Sequence, residues 1–475
     1  DHSSRLFYWG QSGAMNESLA DVMGEIIDHR HASPGDSPHS WTIGEDLPIG
    51  AVRDLSRPGR FGQPDRMTGA AYVGEDIYND NDGVHTDSGV GNRTFYLISQ
   101  GGTQDGHVVR GIDHGPMLTK TAMLALSVIQ HLVSGSDYAD LAAQLEQSCH
   151  ALARHGTVGF TAADCRSVHQ ATLATELRVT PPSAPQPKDA PMTCPRGTGP
   201  VRVLFDSETG RPTTEFVPGP TWSRAPSADA PANATSGLRS WFSTDPENIG
   251  TSSVTMARPH ALPAGRPAFL WFHQWRVLDF ILKGNFDGGT VELADDTTAS
   301  GMRGTASRPW VNGPHDRLRT YSGNPAGGRL TFSRDSHGWT ASRMSLTSKA
   351  GHAVRLQFTM NTDNSIALPG WFLDDVRVYS CGRGPMPRSA PTIRGTVQVG
   401  STLVARPGAW TGKDGHTFAY RWYADGAAIA GARRSSYLVK AGDAGKRLTV
   451  EVTATSRTTH EHTATFSAAT PPVAP

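Results

Sequence analysis

Apolar residues recur at helical spacing only in the first third of the chain. Within Met15–Asp28, Leu19, Val22, Met23, Ile26 and Ile27 fall three and four residues apart, which predicts a helix with one apolar face. Over Pro116–Val133, Met117, Leu118, Ala122, Leu124, Ala125, Val128, Ile129 and Leu132 leave almost no polar side, which predicts a central, buried helix. A third helix is expected from near Ser136 through Leu141, Leu145 and Leu152. A fourth is expected from Thr161-Ala162-Ala163-Asp164, whose end residues are spaced for a capping box. A helix-like run also covers Thr94–Ser99.

Beyond residue 193 the helical period is lost. Short strand candidates replace it: Arg202–Phe205, Ala268–Phe272, Gly289–Leu293, Val354–Thr359 and Asp375–Tyr379. Turn-forming residues such as Asp287-Gly288-Gly289 separate them, the pattern of a β-sandwich. Thr402–Ala405, Phe418–Tyr423, Ser436–Val439 and Arg447–Thr453 predict a second, smaller sandwich of immunoglobulin-like size, with Trp422 as its core aromatic. Val179–Thr193 holds five prolines and reads as a semi-rigid linker, and 382–390 as a second one. The expected organisation is a helical domain (1–178), a linker (179–193), a β-sandwich (194–381), a linker (382–390) and an Ig-like sandwich (391–475).

Composition adds the setting. At 475 residues the chain suits two to four domains. Lys+Arg and Asp+Glu both number 44, so no basic excess points to nucleic acid. With 51 Gly, 33 Pro and 19% charged residues, the mix suits loop-rich extracellular architecture. No apolar run is long enough to span a bilayer, and Asp1 is not a natural start, so a truncation or processing cut is expected there. The four cysteines allow three pairings. Cys149–Cys165 with Cys194–Cys381 is favoured because each pair then lies within one domain, which implies an oxidising compartment; four free thiols is the alternative.

Two clusters could carry chemistry. Glu17 and Asp21 are four apart and share a helix face beside Asn16, as a metal ligand and its outer supports would; a solvated helix face is the bland alternative. His85 lies in Asn79-Asp80-Asn81-Asp82-Gly83-Val84-His85, where a carboxylate could fix its tautomer. The alternatives are an Asx-rich turn with an incidental His, or a calcium loop, although EF-hand spacing is missing.

Taken in order, the segments form a larger pattern: Tyr8, Asn16-Glu17-x-x-x-Asp21, Trp41-x-Ile43-Gly44-Glu45-Asp46, Arg53-x-x-Ser56-x-Pro58, Gly62-x-Pro64-Asp65, Asp80-Asn81-x-Gly83-Val84-His85-x-x-Ser88-Gly89 and Tyr96-Leu97-Ile98-Ser99-x-Gly101-Gly102. This resembles the C-terminal half of the thermolysin family of zinc peptidases. The resemblance implies a multidomain chain: a mainly α-helical peptidase C-terminal domain, then two all-β sandwich domains. It implies Glu17 as a zinc ligand and Asn16 and Asp21 as the groups orienting the zinc-binding histidines. It implies Tyr8 and His85 as oxyanion donors, Asp80 as the partner of His85, and Arg53 as the grip on a substrate carbonyl. Leu47 and Val52 are expected to line an apolar pocket. The family's His-Glu-x-x-His motif, with two zinc ligands and the general base, is missing; His460-Glu461-His462-Thr463-Ala464 has the wrong spacing. The motif is expected upstream of Asp1, and this chain alone should be inactive. Calcium binding is expected to be reduced, because Ser40 and Thr42 stand where acidic ligands belong, with Asp28 and Glu45 the remaining candidates.

Residues 194–381 resemble jelly-roll-like domains attached to secreted bacterial metalloproteases, on Leu270-Trp271-Phe272-His273, Asp287-Gly288-Gly289-Thr290-Val291-Glu292-Leu293 and Gly370-Trp371-Phe372-Leu373-Asp374-Asp375-Val376. Internal packing is the favoured role for Trp371, Asp374 and Asp375, with a ligand or calcium edge the alternative. Residues 391–475 resemble a bacterial Ig-like repeat, on Val399-Gly400-Ser401-Thr402-Leu403, Tyr420-Arg421-Trp422 and Gly445-Lys446-Arg447-Leu448. The implied protein is a secreted, extracellular, monomeric zinc metalloendopeptidase acting on proteins or peptides, its β domains taking a surface or polysaccharide ligand. A non-catalytic adhesion protein on a peptidase-like scaffold is the competing expectation.

Overall fold

The computed structural model describes residues 4–31, 40–74, 78–113, 115, 117–195, 198, 201–208, 216–227, 231–281, 284–294, 301–382, 384–411, 415–457 and 460–475. Five helices precede the strand-rich remainder: α1 Gly10–Arg30, α2 Asp80–Gln100, α3 Thr119–Ile129, α4 Tyr138–Arg154 and α5 Ala162–Ala174. Met15, Val22 and Ile26 of α1 share one core with Val90 and Phe95 of α2, Leu124 and Val128 of α3, and Leu141 and Leu145 of α4. Two glycines let α1 and α2 approach closely. A Cβ on Gly13 would lie 2.4 Å from Val84, and one on Gly91 would lie 2.3 Å from Ser18 Oγ.

The helix ends follow local chemistry. Asp137 and Asp140 close a capping box on α4, and Thr161 and Asp164 close another on α5. Helix α3 is shorter than the apolar run suggests. Asp113 accepts the N–H groups of Lys120 and Thr121 at 3.0 and 2.9 Å, which fixes the start at Thr119. Pro116 lies outside the described residues. Nor is the segment buried all round: Met117 and Leu126 are 54% and 44% exposed. The helix holding His85 also differs from expectation, because it begins well before Thr94. Asp80, Asn81, Asp82 and Gly83 all take left-handed φ (58°, 52°, 66°, 75°), and the right-handed helix starts at Val84. His85 therefore sits in its first turn.

Two antiparallel sheets form the first β domain. One orders the strands Trp310–Val311, Thr340–Ser345, Ala268–Val277, Gly370–Cys381, Ser240–Ser243 and Trp222–Ala225, with Val201–Asp206 added on Gly370–Cys381. The other orders Arg303–Gly304, Gly288–Ala294, Ala353–Thr362, Gly250–Met256 and Phe216–Pro218, with His260–Ala261 added on Ala353–Thr362. Leu270, Phe272, Trp371 and Leu373 of the first face Val254, Val291, Leu356 and Phe358 of the second, the dry centre of a sandwich. The strand from Ala268 outruns its apolar signal by five residues, to Val277. Two of its polar members are held internally: Gln274 Nε2 donates to Ser342 and Arg276 Nε donates to the Ser333 carbonyl.

The second β domain pairs a three-stranded sheet with a four-stranded one around a fully buried Trp422, with Leu403, Tyr437 and Val450. Disulfides join Cys149 to Cys165, across α4 and α5, and Cys194 to Cys381, at the ends of the sandwich. The proline-rich segment before Cys194 is laid onto the sandwich. Ala190 N–H donates to the Ala341 carbonyl at 3.0 Å, Trp271 Nε1 donates to the Ala190 carbonyl at 2.7 Å, and Tyr379 Oη donates to the Thr193 carbonyl at 2.8 Å. Among the described residues no helix is long and apolar enough to cross a membrane.

The helical domain and the sandwich are docked. Phe7 stacks on Trp275 at 5.0 Å, and Trp9 packs on Phe280 within a cluster that includes Val277, Phe242 and Phe372. Trp9 Nε1 also donates to Asp335 Oδ2 at 2.8 Å.

Candidate active site

Glu17 lies two turns into α1, on the face turned towards α2. Tyr8 Oη donates to Glu17 Oε1 at 3.0 Å. His85 Nε2 is 3.3 Å and Arg53 Nη2 3.8 Å from Glu17 Oε2. Tyr8 Oη and His85 Nε2 are 3.2 Å apart. One phenol, one imidazole and one guanidinium thus converge on a single carboxylate, from segments 77 residues apart in the chain. Partial burial, followed by the hydrogen bond to Glu17 and its charge, pushes the Tyr8 phenol up to about 12.

The supports are equally specific. Asp80 Oδ2 accepts from the His85 backbone N–H at 2.9 Å and lies 2.7 Å from Nδ1. The left-handed run at 80–83 folds the aspartate back onto the helix start, so the turn chemistry and the His partner are one device. Asp21, buried one turn after Glu17, accepts from Arg53 Nη1 at 3.0 Å and from Asn92 Nδ2 at 2.8 Å. Burial raises its carboxyl above the ordinary value, against the pull of Asn92 and Arg53. Asp21 therefore anchors Arg53. Asn16 is half-buried beside Glu17 on the helix. Leu47 and Val52 are 50% and 41% exposed and come together over Gly44.

Two partners escaped the sequence reading: Asn92, on α2, and Gln63, whose Nε2 donates to the His85 carbonyl at 2.6 Å. Each is a single amide far from the residue it serves, and no local spacing marks it.

The donor set is incomplete for zinc. Such a site takes three protein ligands. Among the described residues Glu17 belongs to no cluster of three metal-capable side chains. Its carboxylate fits the role of one ligand. The calcium candidates Asp28 and Glu45 are both exposed, and Glu45 accepts from Ser40 at 3.1 Å. The structure adds Glu25, buried nearby: burial first, then the Glu45 and Asp28 charges, push it up to about 9. Residues 32–39 lie outside the described residues.

The candidate edge in the sandwich is internal. Trp371 is fully buried and donates to Gln274 Oε1 at 3.1 Å. Asp374 Oδ2 accepts from Thr235 N–H at 2.7 Å and Ser236 N–H at 3.0 Å, while Asp375 meets Arg377 at 2.9 Å and His273 at 3.1 Å. These residues hold a loop and a strand together, as internal packing requires.

Residues 4–172 match the family described as thermolysin metallopeptidase, alpha-helical domain. A zinc metalloproteinase of Renibacterium salmoninarum is 34% identical over 183 residues, 38% of this chain and 33% of that protein. Thermolysin of Alicyclobacillus acidocaldarius subsp. acidocaldarius is 32% identical over 177 residues, 36% of this chain and 29% of that protein. The chain thus spans about a third of the length of the curated relatives it matches. A solved structure of TmCBM61 with beta-1,4-galactotriose covers 38% of this chain at 10% identity and a TM-score of 0.24, too weak a likeness to carry an argument. Over residues 4–172 the chain is thus similar to the alpha-helical domain of thermolysin metallopeptidases, and two β domains follow that stretch.

Proposed function

We propose that this chain is the part of a secreted zinc metalloendopeptidase that supplies one metal ligand, Glu17, and the groups that stabilise the reacting carbonyl. When bound, zinc supplies an acidified water and polarises the carbonyl. Two further ligands and the general base come from residues that this sequence does not contain. With Glu17 committed to the metal, the Tyr8 hydroxyl and His85 Nε2 are released to donate to the oxyanion, and a preorganised pair of this kind acts mainly in the transition state. Asp80 takes the Nδ1–H and holds the ring so that Nε2 faces the substrate. Arg53, held by Asp21, presents its remaining N–H groups to a substrate backbone carbonyl. Leu47 and Val52 offer apolar contact beside it. Asn16 sits next to Glu17, placed to support the ligands that the missing part brings. Asp28, Glu45 and Glu25 form a reduced calcium locus. The substrates are proteins or peptides, and the two disulfides suit an extracellular setting.

The observation that carries this reading is the convergence of Tyr8, Arg53 and His85 on the Glu17 carboxylate, all within 3.8 Å. It tells against a non-catalytic adhesion protein, which has no physical need to keep these four groups together. The test uses a longer protein that includes the missing ligands. Glu17→Ala is expected to abolish both zinc retention and casein hydrolysis. Tyr8→Phe and His85→Ala should each lower kcat about 100- to 1000-fold with a small change in KM. Full zinc content and hydrolysis in Glu17→Ala would refute the assignment. The 475-residue chain alone is expected to bind zinc weakly and to leave casein intact.

A further inference from the structure

Four aspartates meet at one end of the sandwich. Asp245 follows the strand Ser240–Ser243 and Asp279 follows Ala268–Val277, both of the seven-stranded sheet. Asp287 precedes Gly288–Ala294 and Asp363 follows Ala353–Thr362, both of the six-stranded sheet. In sequence order the four are 3%, 0%, 1% and 2% exposed. One carboxylate oxygen from each of Asp279, Asp287 and Asp363 lies within 4.8 Å of the other two.

Some of their oxygens are satisfied. Ser365 Oγ lies 2.7 Å from Asp279 Oδ2 and 2.6 Å from Asp363 Oδ1, with its one proton to donate to either, and Asp363 N–H donates to Asp287 Oδ1 at 2.6 Å. The rest are not. Asp279 Oδ1, Asp287 Oδ2 and both oxygens of Asp245 are buried without a hydrogen-bond partner. Asp245 lies against the Asp287 carboxyl and near the Leu368 N–H, and a proton shared between the two carboxyls is the arrangement that competes with a cation. Burial, then the neighbouring carboxylates, push Asp245 far above the ordinary aspartate value. A carboxylate left in this state is costly unless it gains a proton or a cation.

The geometry favours the cation. Oxygens bound to one calcium at about 2.3–2.6 Å are at most about 5 Å apart. Oxygen-only donors suit a hard ion. Calcium tolerates irregular cages of six to eight oxygens, whereas magnesium demands a near-ideal octahedron. We propose that Asp279, Asp287 and Asp363, with Asp245 packed against Asp287, hold a calcium ion that fastens the two sheets at the end of the sandwich facing the helical domain. Phe280 and Leu368, which follow two of these ligand loops, lie in the same aromatic cluster as Trp9 and Phe7. The ion therefore also stiffens the seat on which the helical domain rests.

The test uses the whole chain after dialysis against EGTA. Calcium chloride is titrated by calorimetry, and thermal unfolding is followed with and without the ion. Calcium is expected to raise the unfolding midpoint of the sandwich by about 5–10 °C at saturation. Asp287→Asn should lose that rise together with the calorimetric site, while Asp105→Asn, at an exposed carboxylate of the helical domain, should keep both. Should Asp287→Asn not fold, Asp245→Asn provides the second measure, because it removes a negative charge beside the three-oxygen cluster; its calcium affinity should fall at least tenfold. An unchanged midpoint in calcium would overturn the proposal. So would an equal rise in magnesium at the same concentration, or calcium affinity retained in the Asp245→Asn and Asp287→Asn variants. A midpoint that rises in Asp287→Asn regardless of calcium would show protonated acids there, and no metal site.

Discussion

The two domain junctions are built on opposite principles. Where the helical domain meets the sandwich, Phe7 and Trp9 enter a cluster of Trp275, Phe280, Phe242 and Phe372, and Trp9 adds its hydrogen bond to Asp335. A small cavity of about 30 Å³ lies behind, lined by Tyr72, Asp82, Asp335 and His337 among others. Where the sandwich meets the Ig-like domain, an ion pair of Arg266 with Glu461 bridges an open gap of about 440 Å³. Aromatic burial fixes an orientation, whereas a single ion pair at a wet surface restrains one weakly. The first β domain is thus part of the frame of the candidate active site, because Tyr8 sits between its two anchors. The second is carried along.

The largest expected effect breaks the first junction. Trp9 is 4% exposed and makes both an aromatic and a hydrogen-bonding contact across the junction. Trp9→Ala should cost about 3–5 kcal/mol, read as a lower unfolding midpoint for the helical domain. Trp275→Ala, on the far side, should produce a similar loss. If the double variant loses the sum of the two, the residues do not couple and the junction is not a unit.

That junction was not legible in the sequence, and the reason is physical. Helices announce themselves by period, and the capping box at Thr161 by local spacing. Phe7 and Trp9 lie outside any periodic run, and their partners are some 230 to 370 residues away. The site itself was half legible. Glu17 and Asp21 share a helix face, and His85 lies five residues from Asp80, so local geometry links each pair. That Asp21 serves Arg53 and Asn92 depends on the packing of α1 against α2, which no single segment encodes. Extended strands were underestimated where buried polar residues such as Gln274 and Arg276 interrupt the apolar pattern. The aspartates at 245, 279, 287 and 363 come from four loops, and no spacing motif connects them.

A middle-sized effect concerns the acidic side of the first junction. Asp87, on α2, is 1% exposed and accepts the Val73 N–H at 3.0 Å. Burial, aided by the Asp82 charge and opposed by that hydrogen bond, pushes its carboxyl from 3.8 up to about 8. A raised acid holds its proton in the folded state after the unfolded chain has released it. The associated stability is complete below about pH 4 and is lost as pH rises to about 8. The unfolding midpoint of the helical domain should therefore fall over that window. Asp87→Asn keeps an acceptor for Val73 and removes the titration, so it should flatten the slope and stabilise the domain by about 1–3 kcal/mol at pH 8. An unchanged slope would place the pH dependence elsewhere.

The smallest expected effect tests the second junction. The Arg266 and Glu461 side chains are 26% and 16% exposed, so solvent screens part of their attraction. Arg266→Ala should cost about 1 kcal/mol or less and leave the Ig-like core around Trp422 intact. What should change is orientation: small-angle scattering would show a larger radius of gyration, and proteolysis would speed up within 382–390. Salt should mimic the substitution in the parent chain and add nothing in the variant. A cost as large as that of Trp9→Ala would erase the contrast between the two junctions and make the Ig-like domain a structural part of the whole.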